Sequence, residues 1–365
     1  MKLTRLQKTD EISDCRQYWD QIWSQQESTT INDDFDWILL LYKHFGHIRD
    51  NAFYVLRDQN SVLALLPLIQ RRLYCRKIIP YKQLTHIGTI SGVTDFCSLY
   101  RHPDTSGLTP ALKKVFKPYQ QIQLKFILPS VLNKLSENLL ALSHYKIKIL
   151  QCTKNLYIDL NTNRDWQAYF YQLSKNTRRE LTKRFNKLEK TQWHISNNGI
   201  HKTSDLVDII KSIHTRRQHH LNRQSLFEDK KFISYFIDLI DCFGRKNALD
   251  YSLLYIREKP VSFTLGFKHQ QVYYHWLIGF DPKYETFSPN KLHHMYLIQR
   301  MMKENMAQFN FMRGDSPYKF KWTKTFQPLY EIKLWNRSTL YKRIFTYVKT
   351  IRTDATSHFG NHTNV

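Results

Sequence analysis

Four residues whose side chains can do chemistry lie close together in one short loop. Arg313, Asp315, Tyr318 and Lys319 follow the apolar, strand-like segment 309–312. A loop at the end of a strand can present such side chains to a cleft, where a carboxylate can take a proton, a phenol can give one and two cations can hold an anion. On spacing alone, the stronger interpretation is structural: an Arg313–Asp315 turn with Lys319 on a solvated face.

A second candidate site is the start of the helix predicted after Ser288. Ser288 suits the N-cap, Pro289 suits the first helical position, and apolar residues then recur at helical spacing. Unpaired N–H groups and the helix dipole favour an anion at such a start, which makes Ser288, Asn290 and Lys291 candidate ligands of a phosphate group. An ordinary helix start is the equal alternative.

His275 is a second candidate base. It lies beside Trp276 in the middle of the predicted strand 272–279, and strand alternation places the two side chains on opposite faces, one of them toward the cleft. The alternative is a histidine that bonds a neighbouring carbonyl and has only a structural role.

The predicted helix at about 165–189 carries a dense run of positive charge, which includes Arg178 and Arg179. Like charges at i, i+4 destabilise a helix mildly, so a bound anion is a hypothesis beside the default of a solvated face. The whole chain has a net charge of +24, from 55 Lys and Arg against 31 Asp and Glu. This charge would attract acyl-coenzyme A, a phospholipid surface, an acidic polysaccharide or RNA, and does not rank them.

These candidate residues must be positioned by more than one core. The chain has 365 residues, and a single hydrophobic core seldom grows beyond about 250–300 residues. Helices, a strand hairpin and further alternating elements precede residue 153, and helices, a three-stranded meander, a helix and two strands follow it. We therefore expect an α/β fold of the mixed α+β type, with domains 1–153 and 154–340 and a basic tail at 341–365.

Several classes of protein are disfavoured by what the sequence lacks. No apolar run reaches the ~18–20 residues of a membrane-spanning helix, and no secretory signal is visible, so we expect a cytoplasmic protein. The five cysteines form no CxxC pair, which argues against a disulfide framework and a zinc site, and we expect no metal. The basic amphipathic stretch 341–352 predicts either packing on the second domain or peripheral attachment to the anionic inner membrane face.

Four segments of the second half resemble one known family. The run Phe311-Met-Arg-Gly-Asp-Ser-Pro-Tyr-Lys-Phe-Lys-Trp resembles the D-F-x-R-G-D-x-x-Y-K-x-x-W segment of the CelD/BcsL-type acetyltransferase-like family of the GNAT superfamily, with Asn310 in place of the first Asp. The same family is similar at Leu173-Ser-Lys-Asn-Thr-Arg, Lys259-Pro-Val-Ser-Phe and Ser288-Pro-Asn-Lys-Leu, and in the first half at Leu66-Pro-Leu and Gly92-Val-Thr-Asp-Phe. The resemblance covers about residues 10–340. The FemAB aminoacyltransferases of the same superfamily are more distantly similar.

The resemblance implies tandem GNAT-like domains that transfer an acyl group from acetyl-coenzyme A or another acyl-coenzyme A. It makes Asp315 the base or the residue that orients the acceptor, and Tyr318 the proton donor to the leaving thiolate. Arg313 and Lys319 would hold an anionic substrate or cofactor. Ser288, Asn290 and Lys291 would bind the pyrophosphate, although Asn290 replaces the family's glycine and no glycine-rich phosphate loop is apparent. The first half is expected to bind no cofactor.

The acceptor follows from the family alone: a sugar, lipid-linked or amino compound in cell-envelope or polysaccharide metabolism. Two other functions stay open. The FemAB similarity favours a transferase that uses aminoacyl-tRNA. The missing glycine at Asn290 favours a degenerate, non-catalytic GNAT protein that binds a polyanion or a membrane.

Overall fold

The same order of elements occurs twice along the chain. The structure is a computed structural model that describes residues 1–337 except 27–28, 59–60, 76, 78, 102–107 and 201, so the predicted tail at 341–365 lies outside the described residues. The first half contains β1 (Lys2–Leu6), α1 (Thr9–Ser13), α2 (Arg16–Ser24), α3 (Phe35–Phe45), β2 (Asn51–Asp58), β3 (Ser61–Cys75), β4 (Ile79–His86), α4 (Ile87–Ser91), β5 (Tyr100–Arg101), α5 (Leu108–Phe116), β6 (Gln121–Ile127) and α6 (Pro129–Leu140).

The second half follows the long strand β7 (Tyr145–Asp159). It contains α7 (Trp166–Gln172), α8 (Lys175–Leu188), β8 (Trp193–Asn197), α9 (Thr203–His220), α10 (Lys230–Arg245), β9 (Leu249–Ile256), β10 (Lys259–His269), β11 (Val272–Phe280), α11 (Pro289–Lys303), β12 (Gln308–Arg313) and β13 (Phe326–Asn336). The basic helix predicted at 165–189 is two helices, because Asp165 caps α7 and Ser174 caps α8 with their side chains. No helix in the described part of the chain is long and apolar enough to cross a membrane.

One mixed sheet contains all thirteen strands of the described residues. Its order is β1-β2-β3-β4-β6-β13-β7-β12-β11-β10-β9-β8, and β5 pairs with β3 off this path. In each half an antiparallel run of four strands (β1 to β4, β8 to β11) is followed by a parallel strand, β6 or β12, that pairs over only three residues. The expected tandem α/β fold with a mixed sheet is therefore confirmed.

The last strand of each half pairs with the other half. β7, the last strand of the first half, pairs with β12 of the second half. β13, the last strand of the second half, pairs with both β6 and β7 of the first half. Residue 153, the predicted domain boundary, lies inside β7, where the sequence predicted two separate strands. The division into domains 1–153 and 154–340 stays a prediction, and the sheet itself is continuous across residue 153.

A shared core joins the helices of the two halves. Trp37 of α3 packs edge-on against Phe243 of α10 and Phe267 of β10, with ring centroids 5.7 and 5.2 Å apart. Lys43 of α3 also forms an ion pair with Asp238 of α10, Nζ to Oδ2 at 2.6 Å. The two halves are thus packed together on this face of the sheet, while α11 covers the opposite side near β12.

Candidate active site

Strands β11 and β12 run parallel for three residue pairs and then separate. The pairs run from Val272 with Gln308 to Tyr274 with Asn310. Beyond them β11 continues to Phe280, and a bulge near Trp276 shifts its register with β10. β12 is also irregular: Met312 has a φ of 57°, and its N–H donates to the Asn310 side-chain oxygen at 2.8 Å. A gap therefore opens between the carboxyl ends of the two strands.

Helix α11 begins at this gap, and its first residues line a cleft of about 300 Å³. The three predicted phosphate ligands, Ser288, Asn290 and Lys291, all belong to the lining, together with Tyr318. Ser288 adopts a left-handed conformation (φ 52°, ψ 55°), and its side chain caps no helix N–H. Asn290 is helical, so the left-handed residue of this turn is Ser288 rather than the residue that replaces the family's glycine. The structure thus brings the helix start and the tyrosine of the loop together.

Charged side chains of both signs surround the start of α11. Glu180 of α8 forms ion pairs with Lys291 and, at 3.5 Å, with Lys321. The hydrogen bond from Lys291 is the main cause that lowers the pKa of Glu180. Arg217 lies 3.8 Å from Glu285 on the opposite side. The three cations that line the cleft are therefore paired with two carboxylates, and an anionic ligand must compete with them.

The cleft wall also contains His294, which the sequence analysis missed. Its ring stacks on Tyr318, with centroids 5.6 Å apart and planes at 29°, and lies 4.7 Å from the ring of His275. Burial lowers the pKa of His294 to about 3. The signal in the sequence was a histidine at a core-facing position of α11, four residues after Asn290 and four before Ile298.

His275 lies behind His294, outside the residues that line the cleft. Its side chain is buried, and burial and the neighbouring His294 lower its pKa well below the usual value. Trp276 points to the other face, where it stacks on Phe236 of α10 at 6.0 Å. The two side chains therefore lie on opposite faces of the sheet, as predicted, and His275 lies on the face that α11 covers.

Comparison with known proteins agrees with this geometry. Residues 175–320 match a family model described as "Acetyltransferase (GNAT) domain". The chain contains a GNAT domain. The match runs from α8 to the loop after β12, so it includes the separated strands, the start of α11 and Tyr318.

Solved structures share the whole fold with this chain. FemX aligns over 94% of this chain and 100% of its own, with a TM-score of 0.60 and 10% identity. The DUF2156 domain of a protein assigned as a lysylphosphatidylglycerol synthetase in Agrobacterium fabrum aligns over 92% and 95%, with a TM-score of 0.55 and 10% identity. L-PGS from Bacillus licheniformis aligns over 90% and 95%, with a TM-score of 0.51 and 13% identity. Identities this low show the fold alone, and no curated protein matches the sequence.

The loop of the GNAT domain that carries the R-G-D segment is tied to the first half of the chain. Arg313 forms an ion pair with Asp95, Nε to Oδ1 at 3.0 Å, and donates to the carbonyl of Gly92 at 3.2 Å. Its guanidinium also lies 4.0 Å from the ring centroid of Phe126. Arg313 therefore contacts the Gly92-Val-Thr-Asp-Phe motif and does not line the cleft.

Lys319 and Asp315 occupy opposite environments in the same loop. Lys319 is 4% exposed, and its Nζ donates to the carbonyls of Met312 and Arg313 at 3.1 and 2.7 Å. Burial lowers its pKa to about 8. It holds the irregular end of β12 and does not lie on a solvated face. Asp315 is exposed and does not belong to the residues that line the cleft. The structure therefore does not place it in the cleft with Tyr318.

The two arginines of α8 also lie apart from the cleft. Arg178 stacks on Tyr171 at 5.4 Å and donates to its carbonyl at 3.2 Å. Arg178 and Arg179 line an open groove on the outer surface of α8. The face of α8 that reaches the cleft of the GNAT domain instead carries Thr177, Glu180 and Leu181. An anion held by the two arginines would bind outside this cleft.

Proposed function

We propose that this protein is an acyltransferase that moves an acyl group, acetyl in the first instance, from acyl-coenzyme A to an acceptor bound at the cleft between β11 and β12. The observation that carries the proposal is the gap between these strands, with the start of α11 opening onto it. A thioester in the gap would be held by backbone on both sides, and an anionic group would meet the helix start.

The residues of the cleft fit such a donor. Ser288, Asn290 and Lys291 would hold the pyrophosphate, because the Ser288 hydroxyl is not used as a cap and the helix start favours an anion. Lys321 and Arg217 add positive charge at the same cleft. Coenzyme A would supply the activated thioester, and Tyr318 lies in the wall as the proton donor for its sulfur.

The motifs shared with the CelD/BcsL-type family support an acceptor of cell-envelope or polysaccharide metabolism. A sugar, a lipid-linked compound or an amine remains the proposed class of acceptor. A larger polar groove of about 770 Å³ adjoins the cleft and shares Thr177, Glu180, Lys321 and Trp322 with it. This groove provides room for a sugar or lipid-linked acceptor beside the cleft.

The start of α11 lacks the phosphate loop expected for coenzyme A, and this favours a second candidate donor, aminoacyl-tRNA. The carboxylates of Glu180 and Glu285 occupy the start of α11, and a short 3-10 helix, Pro282–Phe287, stands where a glycine-rich phosphate loop is expected. FemX has the same fold, and the net charge of +24 suits a polyanion.

Thermal unfolding with candidate donors tests the proposal. A ligand at 100 times its Kd adds about 2.7 kcal/mol to the stability of the native state, so acetyl-coenzyme A should raise the Tm by a few degrees. Inorganic pyrophosphate is the control for plain anion binding and should shift the Tm less. A shift with charged tRNA and none with acetyl-coenzyme A would support the second donor. No shift with either would reject both and favour a non-catalytic role.

A further inference from the structure

Two adjacent buried histidines at the start of α11 differ in their hydrogen bonds. His293 uses both ring nitrogens, Nε2 with the Ser252 hydroxyl at 2.7 Å and Nδ1 with the Ser262 hydroxyl at 3.0 Å. His294 is 2% exposed, and its Nε2 has no hydrogen-bond partner among the residues that the structure describes. Buried polar atoms usually have a partner, so a nitrogen without one in a cleft wall is available to a bound ligand.

The protonation of the His294 ring follows from its neighbours. The ring donates to the carbonyl of Asn290, one helical turn earlier. Since Nε2 is the nitrogen without a partner, Nδ1 carries the proton and Nε2 carries the lone pair. The aromatic rings of Tyr318, Phe311 and Trp322 surround His294, with centroids 5.6 to 5.9 Å away. Their packing fixes the orientation of the ring.

We propose that His294 is a catalytic residue that takes the proton from the acceptor's nucleophilic nitrogen or oxygen, a role that rests on the proposed acyl transfer in this cleft. The acceptor atom forms a bond to the acyl carbon while its proton moves to Nε2 of His294. The carbon–sulfur bond breaks, and its electron pair leaves on the thiolate. Tyr318 gives its hydroxyl proton to the thiolate and takes one back from His294, so both residues return to their starting state.

The charges around His294 are consistent with this role. The groups that face it are His275 from β11, Tyr318 and Lys319 from the loop after β12, and its own neighbour His293. Burial lowers its pKa to about 3 and the charge of Lys319 adds to this, while the hydrogen bond to the Asn290 carbonyl opposes them, so the ring is uncharged at neutral pH and passes on any proton that it receives. The packing around Tyr318, which is 37% exposed, raises the pKa of its hydroxyl, which is therefore protonated at neutral pH.

The test uses the full chain and acetyl-coenzyme A, with water as the acceptor and chromatography to measure the coenzyme A released. His294→Gln should leave the Kd for acetyl-coenzyme A within about threefold and lower kcat by about 100-fold, the range for loss of a general base. His294→Ala should recover part of its rate when imidazole is added. His293→Gln is the matched control: it removes a buried histidine whose nitrogens are both bonded, and its kcat should stay within about threefold of wild type.

The outcomes separate this inference from the proposed function. A wild-type chain that neither binds acetyl-coenzyme A nor releases coenzyme A would overturn both. An active wild type with an equally active His294→Gln variant, or equal rescue of His293→Ala by imidazole, would overturn the role of His294 alone. If the variants do not fold, nitrogen-15 NMR of the wild type decides: we expect an unprotonated Nε2 that shifts on addition of acetyl-coenzyme A, and a protonated or unmoved Nε2 would refute the proposal.

Discussion

Glu180 places a carboxylate at the start of α11, where a phosphate group of the proposed donor would bind. It pairs with Lys291 and Lys321, two of the cations that line the cleft. Partly exposed ion pairs are worth about 0.2–1 kcal/mol each. A donor phosphate would have to replace these contacts before it gained the two lysines, so in the proposed function Glu180 would set part of the affinity for the donor.

We predict that Glu180→Gln lowers the Kd for coenzyme A by about three- to fivefold, because the two lysines no longer need to release a carboxylate. Isothermal titration calorimetry at fixed ionic strength would measure this change, and the gain should shrink at high salt. Glu137→Gln on α6 makes the same change of net charge away from the cleft and should leave the Kd unaltered. Weaker binding by Glu180→Gln would mean that the carboxylate itself contacts the ligand.

The sequence predicted half of the cleft and missed the other half for a physical reason. Ser288, Asn290 and Lys291 were found because a helix start has a local signature, and Tyr318 because it follows a strand. His294 has no such signature: its importance comes from the loop of Tyr318 packing onto it across the cleft. Arg313 and Lys319 were assigned to an anion, but their partners, Asp95 and two backbone carbonyls, are set by long-range packing.

At the scale of elements, the loop after β12 is tied to the loop after α4. Arg313 bonds both Asp95 and the carbonyl of Gly92, so two motifs more than 200 residues apart in the sequence meet at one ion pair. Both side chains are largely covered, Asp95 at 13% and Arg313 at 25% exposure. Loss of one partner would leave the other partly buried without its counter-charge.

We predict that Asp95→Asn lowers the free energy of unfolding by about 1–3 kcal/mol, since it leaves the Arg313 guanidinium without its carboxylate. Urea denaturation followed by circular dichroism would measure the loss. Asp315→Asn, in the same loop but exposed, is the control and should change stability by less than about 0.5 kcal/mol. An equal loss in the two variants would show that the ion pair contributes nothing beyond the general charge of the loop.

The three strands of the meander, β9 to β11, were predictable from the sequence, whereas the pairing of β7 and β13 with strands of the other half was not. Residues 249–280 alternate between short apolar runs and tight turns, which fixes three antiparallel strands locally. The first part of β7 is mostly solvent-exposed, so its polar residues Gln151, Thr153 and Lys154 resemble a break between two strands. Their strand character depends on β13, which comes more than 170 residues later in the chain.

On the scale of the whole molecule, the two halves are interleaved rather than joined by a linker. β13 lies between β6 of the first half and β7, and the helices α3 and α10 share one core. The charge network of the cleft, the Arg313–Asp95 pair and the buried histidines are therefore parts of one continuous structure. Conditions that unfold one half should therefore also destabilise the other half.

Buried histidines make the stability of this molecule depend on pH. Burial lowers the pKa of His86 and His293 to about 3 and that of His214 to about 4, and it also lowers those of His275 and His294. The unfolded chain takes up protons as the pH falls through about 6.5, while the native state does not until much lower pH. The stability that these residues provide is therefore complete above about pH 6.5 and is lost as the pH falls below it. Asp33 and Asp95, whose pKa values burial raises, act in the opposite direction.

A single substitution isolates one of these contributions. His86 accepts a hydrogen bond from the N–H of Gly88 at the start of α4, and Asn can keep that bond. Between pH 7.5 and 5.5 the free energy of unfolding should fall by about 1.4 kcal/mol less in His86→Asn than in wild type, because one fewer proton is taken up on unfolding. Urea denaturation at the two pH values measures this difference, and the contributions of Asp33 and Asp95 cancel because both chains contain them. His144→Asn, at an exposed position, should follow wild type. The same pH dependence in His86→Asn as in wild type would mean that native His86 takes up its proton near the ordinary pKa, and that its burial does not exclude charge.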